Sequence, residues 1–155
     1  MNLDDKRLSV AVYQPDIPQN LGSMIRTCTC LGADLHIIGP CGFPFSDDKL
    51  RRVGMDYIEL SSIFTYLSWH DFVKSRVGIG RMVLLSTKSD VLYTEHDYLQ
   101  SDILIVGRES SGVPASVHSE VDARVRIPMF GSARSLNVVV AASIVLSEMK
   151  RQICM

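Results

Sequence analysis

The sequence predicts an α/β domain built on a mostly parallel β-sheet with helices on both faces. Strand-length runs of Val, Ile and Leu recur along the chain, and each is apolar throughout, as in strands that are buried on both faces. Segments with apolar residues at helical spacing lie between these runs. Strands that alternate with helices are typical of a parallel sheet.

The first half of the chain alternates in this way. Its expected elements are strand 8–13, helix 19–32, strand 34–40, helix 46–54 and strand 57–60. Gly39 and Pro40 end the second strand, and Ser46 or Asp47 is expected to cap the polar helix.

The second half continues the pattern. Its expected elements are helix 68–76, strand 81–87, strand 102–107, strand 123–129 and a closing helix from about 135 to 152. The closing helix is apolar almost all round from Leu136 to Leu146, which predicts burial on both sides. In a chain of 155 residues a second copy covers the other side more easily than the chain itself, so we predict a homodimer through this helix.

Composition limits the class of protein. Apolar residues make up 46% and charged residues 21%, which argues for one globular domain over residues 1–155. The net charge of -1 gives no sign of a nucleic-acid binder but leaves room for a local basic patch. The N-terminus lacks a secretory signal, and the apolar run 138–146 is far shorter than the roughly 20 residues of a membrane span. Cysteine and histidine spacing favours structural thiols and no metal site, so we expect a cytoplasmic protein.

Polar clusters follow four of the expected strands: QPDIPQN, STKSD, GRESSG and MFGSARS. Ligands of parallel sheets bind outside the carboxyl ends of the strands, so these clusters are expected to share one rim. In the last cluster Gly131, Ser132 and Ser135 directly precede a helix, where free N–H groups suit a polar ligand.

Taken one at a time, these clusters have ordinary interpretations. GRESSG fits a plain turn in which Glu109 or Ser110 caps a following helix, and its spacing matches no phosphate or dinucleotide fingerprint. Asn20 is typical of a helix cap, and Arg26 of a solvated side chain. The basic stretch 49–54 is either a solvated helix face or a phosphate contact.

Four segments taken together resemble a known family: YQPDIPQNLGSMIRTC, LHIIGPCGFPFSDDKLRRVGMDY, LIVGRESSGVP and RIPMFGSARSLNVVVAASIVLSEMKRQ. Their order and separations are similar to those of the SPOUT superfamily of RNA methyltransferases. Within it, the chain most resembles the small tRNA wobble-position 2′-O-methyltransferases. The resemblance extends from about Val10 to Gln152.

This resemblance implies a fold whose C-terminal part is threaded into a deep trefoil knot, which forms the pocket for S-adenosylmethionine. It also implies a homodimer through the C-terminal helix, in agreement with the apolar character of that helix. The positions that match the family's cofactor contacts are Leu85, Gly107, Ile127 and Ser135, with Met129 and Leu136 beside them.

The family's polar active-site set matches Asn20, Arg26, Glu109, Ser135 and Asn137. By this resemblance Arg26 activates a ribose 2′-hydroxyl for attack on the sulfonium methyl group. Guanidinium is a poor base because it stays protonated up to a pKa above about 12. We therefore favour a charged Arg26 that binds a substrate phosphate and stabilises the developing alkoxide over an exceptionally perturbed Arg26.

No added RNA-binding domain is expected, so the domain's own surface must bind the tRNA anticodon loop. The basic candidates are Lys49, Arg51, Arg52 and Arg108. Arg108, Ser111 and Ser147 depart from residues common in the family, which leaves RNA specificity open. The alternatives are a SPOUT enzyme for another tRNA or rRNA ribose and a non-catalytic RNA-binding module. A flavodoxin-like nucleotide binder is disfavoured because the chain lacks a phosphate loop of suitable spacing.

Overall fold

The computed structural model describes residues 6–44, 48 and 62–154. Six strands of this described part form one sheet in which every neighbouring pair is parallel. They are β1 (Leu8–Tyr13), β2 (Ala33–Ile38), β3 (Ile63–Tyr66), β4 (Met82–Leu85), β5 (Ile103–Val106) and β6 (Ala123–Val125). Their order in the sheet is β3-β2-β1-β5-β4-β6. The predicted α/β class with a mostly parallel sheet is confirmed.

Helices cover both faces of the sheet. They are α1 (Pro18–Leu31), α2 (Trp69–Arg76), α3 (Ala115–Glu120) and α4 (Val138–Cys154). Side chains of a strand point alternately to the two faces, so β1 contributes to two cores. Val10 and Val12 belong to the core under α1 and α4, whereas Ala11 and Tyr13 belong to the core that includes Phe72 of α2.

The strand order places the loops after β1 and β5 side by side. The chain moves outward from β1 to β3 on one side of the sheet, and its second half fills the other side from β5 to β6. The change of direction between β1 and β5 is a topological switch point, where parallel sheets open a crevice at their carboxyl edge.

Several helix starts differ from the predicted ones. Helix α1 begins at Pro18 with Ile17 as its N-cap, so Asn20 lies in the first turn and does not cap the helix. Helix α3 begins after Pro114, so neither Glu109 nor Ser110 caps it. Helix α4 begins at Val138, three residues later than predicted, because the Asn137 side chain accepts hydrogen bonds from the first free N–H groups.

One edge strand was not predicted from the sequence. No strand was expected at β3, where Phe64 and Thr65 are exposed and the apolar run typical of a buried strand is missing. The predicted strand at 57–60 lies outside the described residues. The predicted helix at 46–54 does so as well, apart from Asp48, which is helical.

Helix α4 is only partly covered by its own chain. Ala142, Leu146 and Met149 are buried against the sheet and α1, whereas Val140 retains 49% exposure. The chain thus buries one side of this apolar helix. Burial of the other side by a second copy stays a prediction.

No helix in the described part of the chain is long and apolar enough to cross a membrane. Cys28 on α1 is fully buried, and this burial raises the pKa of its thiol to about 12. The thiol therefore stays protonated at neutral pH and acts as a small apolar side chain of the core.

We expect Phe72→Ala to lower the free energy of unfolding by about 3–5 kcal/mol, because Phe72 is fully buried and its removal leaves a cavity. Phe64→Ala is the matched control, since Phe64 stacks on the same cluster at His36 but is 46% exposed. The control should lose only about 1 kcal/mol. Urea unfolding of both variants measures the difference, and equal losses would contradict this packing.

Candidate functional site

A cavity of about 800 Å³ opens at the carboxyl edge of the sheet, beside the switch point. Its walls come from the segments after β1, β4, β5 and β6, which carry the polar clusters expected to share a rim. All six residues predicted to contact a cofactor line it: Leu85, Gly107, Ile127, Met129, Ser135 and Leu136. Three of the four predicted catalytic residues line it as well: Asn20, Glu109 and Asn137.

The loop after β5 is a tight turn between two glycines. The backbone of Arg108 donates to Gly112 O at 3.0 Å, and Gly112 N donates to Arg108 O at 2.8 Å. Gly112 has a φ of 66°, a conformation that favours glycine. A Cβ atom on Gly107 would lie 2.6 Å from the Gly112 Cα atom, so a side chain there would force the loop open. Both glycines are needed to hold residues 108–111 over the cavity.

A chain of hydrogen bonds joins three distant segments at the cavity wall. Asn137 Nδ2 donates to Asn20 Oδ1 at 3.1 Å, and Asn20 Nδ2 donates to Glu109 Oε1 at 3.5 Å. The backbone N–H of Asp16 donates to Glu109 Oε2 at 2.9 Å. The start of α4, the first turn of α1 and the loop 107–112 are therefore held together by side chains.

Asn137 also holds the start of α4. Its Oδ1 atom accepts from Val139 N at 2.9 Å and from Val140 N at 3.3 Å. These are two of the N–H groups that a helix start leaves without partners. One amide thus caps the helix with its oxygen and reaches Asn20 with its nitrogen, which couples the helix start to the polar wall of the cavity.

Asp16 is a site residue that was not predicted from the sequence. Ser110 Oγ donates to Asp16 Oδ2, and Arg108 Nε lies 3.5 Å from the same oxygen. A Cβ atom on Gly42 would lie 2.5 Å from Asp16 Cβ, so Gly42 gives Asp16 its room. The signal in the sequence was an acidic residue in the QPDIP segment that follows a strand.

The two carboxyl groups at this loop have opposite pKa shifts. Burial raises the pKa of Glu109 above its ordinary value, and the nearby Asp16 carboxyl group raises it further. The neighbouring Glu109 carboxyl group lowers the pKa of Asp16, and the hydrogen bond from Ser110 lowers it further. Glu109 is therefore the member of the pair that takes up a proton first as the pH falls.

The basic residues predicted to act on RNA lie in different surroundings. Arg26 is exposed on α1, about 9 Å along the helix axis from Asn20 at a rise of about 1.5 Å per residue, and it is outside the cavity wall. Arg108 is half-buried, and its Nε also donates to Gln14 O at 3.0 Å. Lys49, Arg51 and Arg52 lie outside the described residues.

Another part of the cavity wall was only partly predicted from the sequence. Thr87 and Lys88 come from the STKSD cluster, which the sequence analysis placed on the rim. His118 and Ser119 come from α3, a helix for which no site residue was expected. His118 is fixed by Arg124, whose Nε donates to His118 O at 2.7 Å.

Comparison with known proteins agrees with this geometry. Residues 7–147 match the model of the SpoU rRNA Methylase family. A protein of Beijerinckia indica subsp. indica, named tRNA (cytidine(34)-2'-O)-methyltransferase, is 50% identical over 145 residues, which cover 93% of this chain and 91% of the relative. The chain belongs to the SpoU methylase family.

Solved structures give the same result. One, described as "Structural insights into the 2-OH methylation of C/U34 on tRNA", superposes with a TM-score of 0.87 at 36% identity, covering 95% of this chain and 96% of the other. An AdoMet-bound rRNA methyltransferase from Sinorhizobium meliloti superposes with a TM-score of 0.84 at 30% identity, covering 97% of this chain and 60% of the other. The six-stranded sheet described here is therefore the SPOUT methyltransferase sheet.

We expect Asn137→Ala to lower the free energy of unfolding by about 1 kcal/mol, because α4 loses its N-cap. Asn137→Asp is the control, since a carboxylate oxygen can still cap the helix and its charge suits a helix N-terminus. The control should remain within about 0.5 kcal/mol of the wild type. Urea unfolding measures both, and equal losses in the two variants would assign the loss to the hydrogen bond with Asn20 and contradict a contribution from the cap.

Proposed function

We propose that this protein transfers a methyl group from S-adenosylmethionine to the ribose 2′-hydroxyl of the tRNA wobble nucleotide, cytidine or uridine 34, and releases S-adenosylhomocysteine. The observation that carries the proposal is the convergence of six cofactor-type residues and three polar catalytic candidates on one cavity. Relatives named for this reaction match nearly the full length of the chain.

The cavity fits the cofactor. Its volume of about 800 Å³ lies within the range of small-molecule sites. Leu85, Ile127 and Leu136 would hold the faces of an adenine ring with apolar side chains, and the loop 107–112 would offer backbone N–H and C=O groups to its edge. Met129 and Ser135 also line the cavity. The cofactor, when bound, supplies a methyl group on a sulfonium centre.

The residues of the chain then act by positioning and by charge. The new bond joins the ribose 2′-oxygen to the methyl carbon, the bond from that carbon to sulfur breaks, and the hydroxyl proton leaves to a phosphate or to water. Arg26 remains charged, binds a substrate phosphate and stabilises the developing alkoxide. The hydrogen bonds among Asn20, Glu109 and Asn137 hold the starts of α1 and α4 and the loop 107–112 in fixed relative positions at the cavity.

We further infer that residues 1–155 form a single SPOUT domain with the trefoil knot of the family in its C-terminal part. The tRNA anticodon loop then binds to the domain surface, with Lys49, Arg51, Arg52 and Arg108 as the basic contacts. A single-stranded loop suits this surface because its bases can be turned out into a cleft. The protein acts in the cytoplasm, with its tRNA substrate.

A homodimer through α4 is part of this proposal. Val140 in the first turn of α4 is 49% exposed, and Leu136, just before the helix, is 40% exposed, although both are apolar. Leu136 also lines the cavity, so a second copy packed here would extend the wall of the site. This continuity between the apolar helix and the cavity supports dimerisation as a condition for a complete site.

The substrate is tested by incubating the protein with bulk tRNA and labelled S-adenosylmethionine, followed by mapping of 2′-O-methyl nucleotides by mass spectrometry. Product at nucleotide 34 supports the proposal. Product at another ribose identifies a different substrate within the same enzyme class. RNA binding without any product identifies a non-catalytic module.

We expect Arg26→Ala to lower the rate of methyl transfer by at least about 100-fold, as for loss of one charge-stabilising group. The dissociation constant for S-adenosylmethionine should stay within about two-fold, because Arg26 lies outside the cavity wall. Lys74→Ala, which removes one positive charge at an exposed position of α2, is the matched control and should retain full activity. Calorimetry measures cofactor affinity and single-turnover assays measure transfer. A large loss of cofactor affinity would make Arg26 a pocket residue instead.

We expect light scattering at micromolar concentration to give the mass of a dimer for the wild type. Val140→Glu should shift the protein towards the monomer, because the new charge would be desolvated in an apolar interface. Val77→Glu, at an exposed position after α2, should leave the dimer intact. A monomeric wild type, or equal behaviour of the two variants, would contradict an interface at α4.

A further inference from the structure

Asp16 contacts three consecutive residues of the loop 107–112 from the other side of the switch point. Its Oδ2 atom lies beside Arg108 Nε and accepts from Ser110 Oγ, and its backbone N–H donates to Glu109. Asp16 and Glu109 are 93 positions apart in the chain. Asp16 therefore links the segment after β1 to the loop after β5.

The other carboxylate oxygen of Asp16 is in an unusual position. Asp16 Oδ1 is buried and has no hydrogen-bond donor among the described residues. A buried acceptor without a partner is rare, because it loses its contact with water and gains nothing in return. The Glu109 carboxyl group lies next to Asp16, since its Oε2 atom accepts from the Asp16 backbone N–H at 2.9 Å, so a protonated Glu109 can supply the missing donor.

We propose that Asp16 and Glu109 share one proton, with Glu109 as the acid and Asp16 Oδ1 as the acceptor, and that Asp16 thereby positions the loop 107–112. Asp16 is a positioning residue, since it acts on the site through Glu109 and Arg108. The proton sharing is a property of the protein alone. Its importance for catalysis rests on the proposed function, in which this loop holds both the cofactor and Glu109.

The groups around Asp16 and Glu109 favour an ionised Asp16 and a neutral Glu109. Arg108 forms the ion pair with Asp16 and therefore stabilises Asp16 as the ionised partner. Asn20 of α1 faces Glu109 with a donor at 3.5 Å, a long contact that suits a neutral acid better than a carboxylate. Cys41 follows β2 and lies near the charges of Arg108 and Glu109. Burial raises the pKa of its thiol, so the thiol adds no charge at neutral pH.

The pH window follows from the two opposite shifts. The raised pKa of Glu109 means that its contribution to stability is complete at low pH and is lost as the pH rises through this raised value. The lowered pKa of Asp16 means that its contribution is present at higher pH and is lost as the pH falls through this lowered value. Between the two values the pair holds one proton. Above the upper value two carboxylates repel each other beneath the loop.

The test follows the Glu109 carboxyl group directly, in the free protein without cofactor or RNA. The protein is labelled with ¹³C at the side-chain carboxyl of glutamate, the carboxyl carbon is titrated by NMR, and its signal is assigned by its loss in Glu109→Gln. We expect Glu109 to titrate above the ordinary glutamate value of about 4.3. In Asp16→Asn the midpoint should fall by about one pH unit or more, since the carboxamide removes the like charge and can itself donate to Glu109.

Asp90→Asn, at an exposed position in the loop after β4, is the matched control and should leave the Glu109 midpoint unchanged. The reciprocal experiment labels aspartate and uses Glu109→Ala, in which the Asp16 midpoint should rise. This second variant keeps the test decisive if Asp16→Asn does not fold. A Glu109 midpoint at the ordinary value, or midpoints that do not respond to the partner substitution, would overturn proton sharing. Neither result depends on methyl transfer, so the proposed function is tested separately.

Discussion

The hydrogen bond between Asn137 and Asn20 is the interaction on which the candidate site depends. It joins the start of the last helix to the first turn of the first helix, across 117 positions of the chain. Through Asn20 the connection continues to Glu109, and through Glu109 to the backbone of Asp16. Because Asn137 also caps α4, displacement of this one side chain would disturb the helix start and the cavity wall together.

A parallel sheet explains why such distant residues meet. The strands β1 and β5 are neighbours at the switch point, so the segments that follow them leave the sheet at the same edge. Short polar side chains can then bridge the two segments. The tight loop between Gly107 and Gly112 keeps its backbone close to the cavity, where it can bind a ligand without long side chains. The fold brings the segments after β1 and β5 close together, and a few hydrogen bonds fix their relative positions.

Much of this arrangement could be predicted from the sequence. Gly107 and Leu85 stand at the ends of apolar strands, and the strand pattern together with the order of motifs places such residues at one edge. The contacts of Asp16 could not be predicted, because they join side chains in segments 93 positions apart and depend on the space left by Gly42. Edge strand β3 was missed because Phe64 is half-exposed there, which breaks the pattern of a buried strand.

The central claim is that Asn20 and Asn137 act as one unit with Glu109. A double-mutant cycle on kcat/KM for methyl transfer tests it, with Asn20→Ala, Asn137→Ala and the double variant. Residues that act as a unit are strongly non-additive, so the double variant should lose little more activity than the more damaged single variant. Losses that multiply in the double variant would show two independent contributions, and would contradict a site held together by this hydrogen-bonded chain.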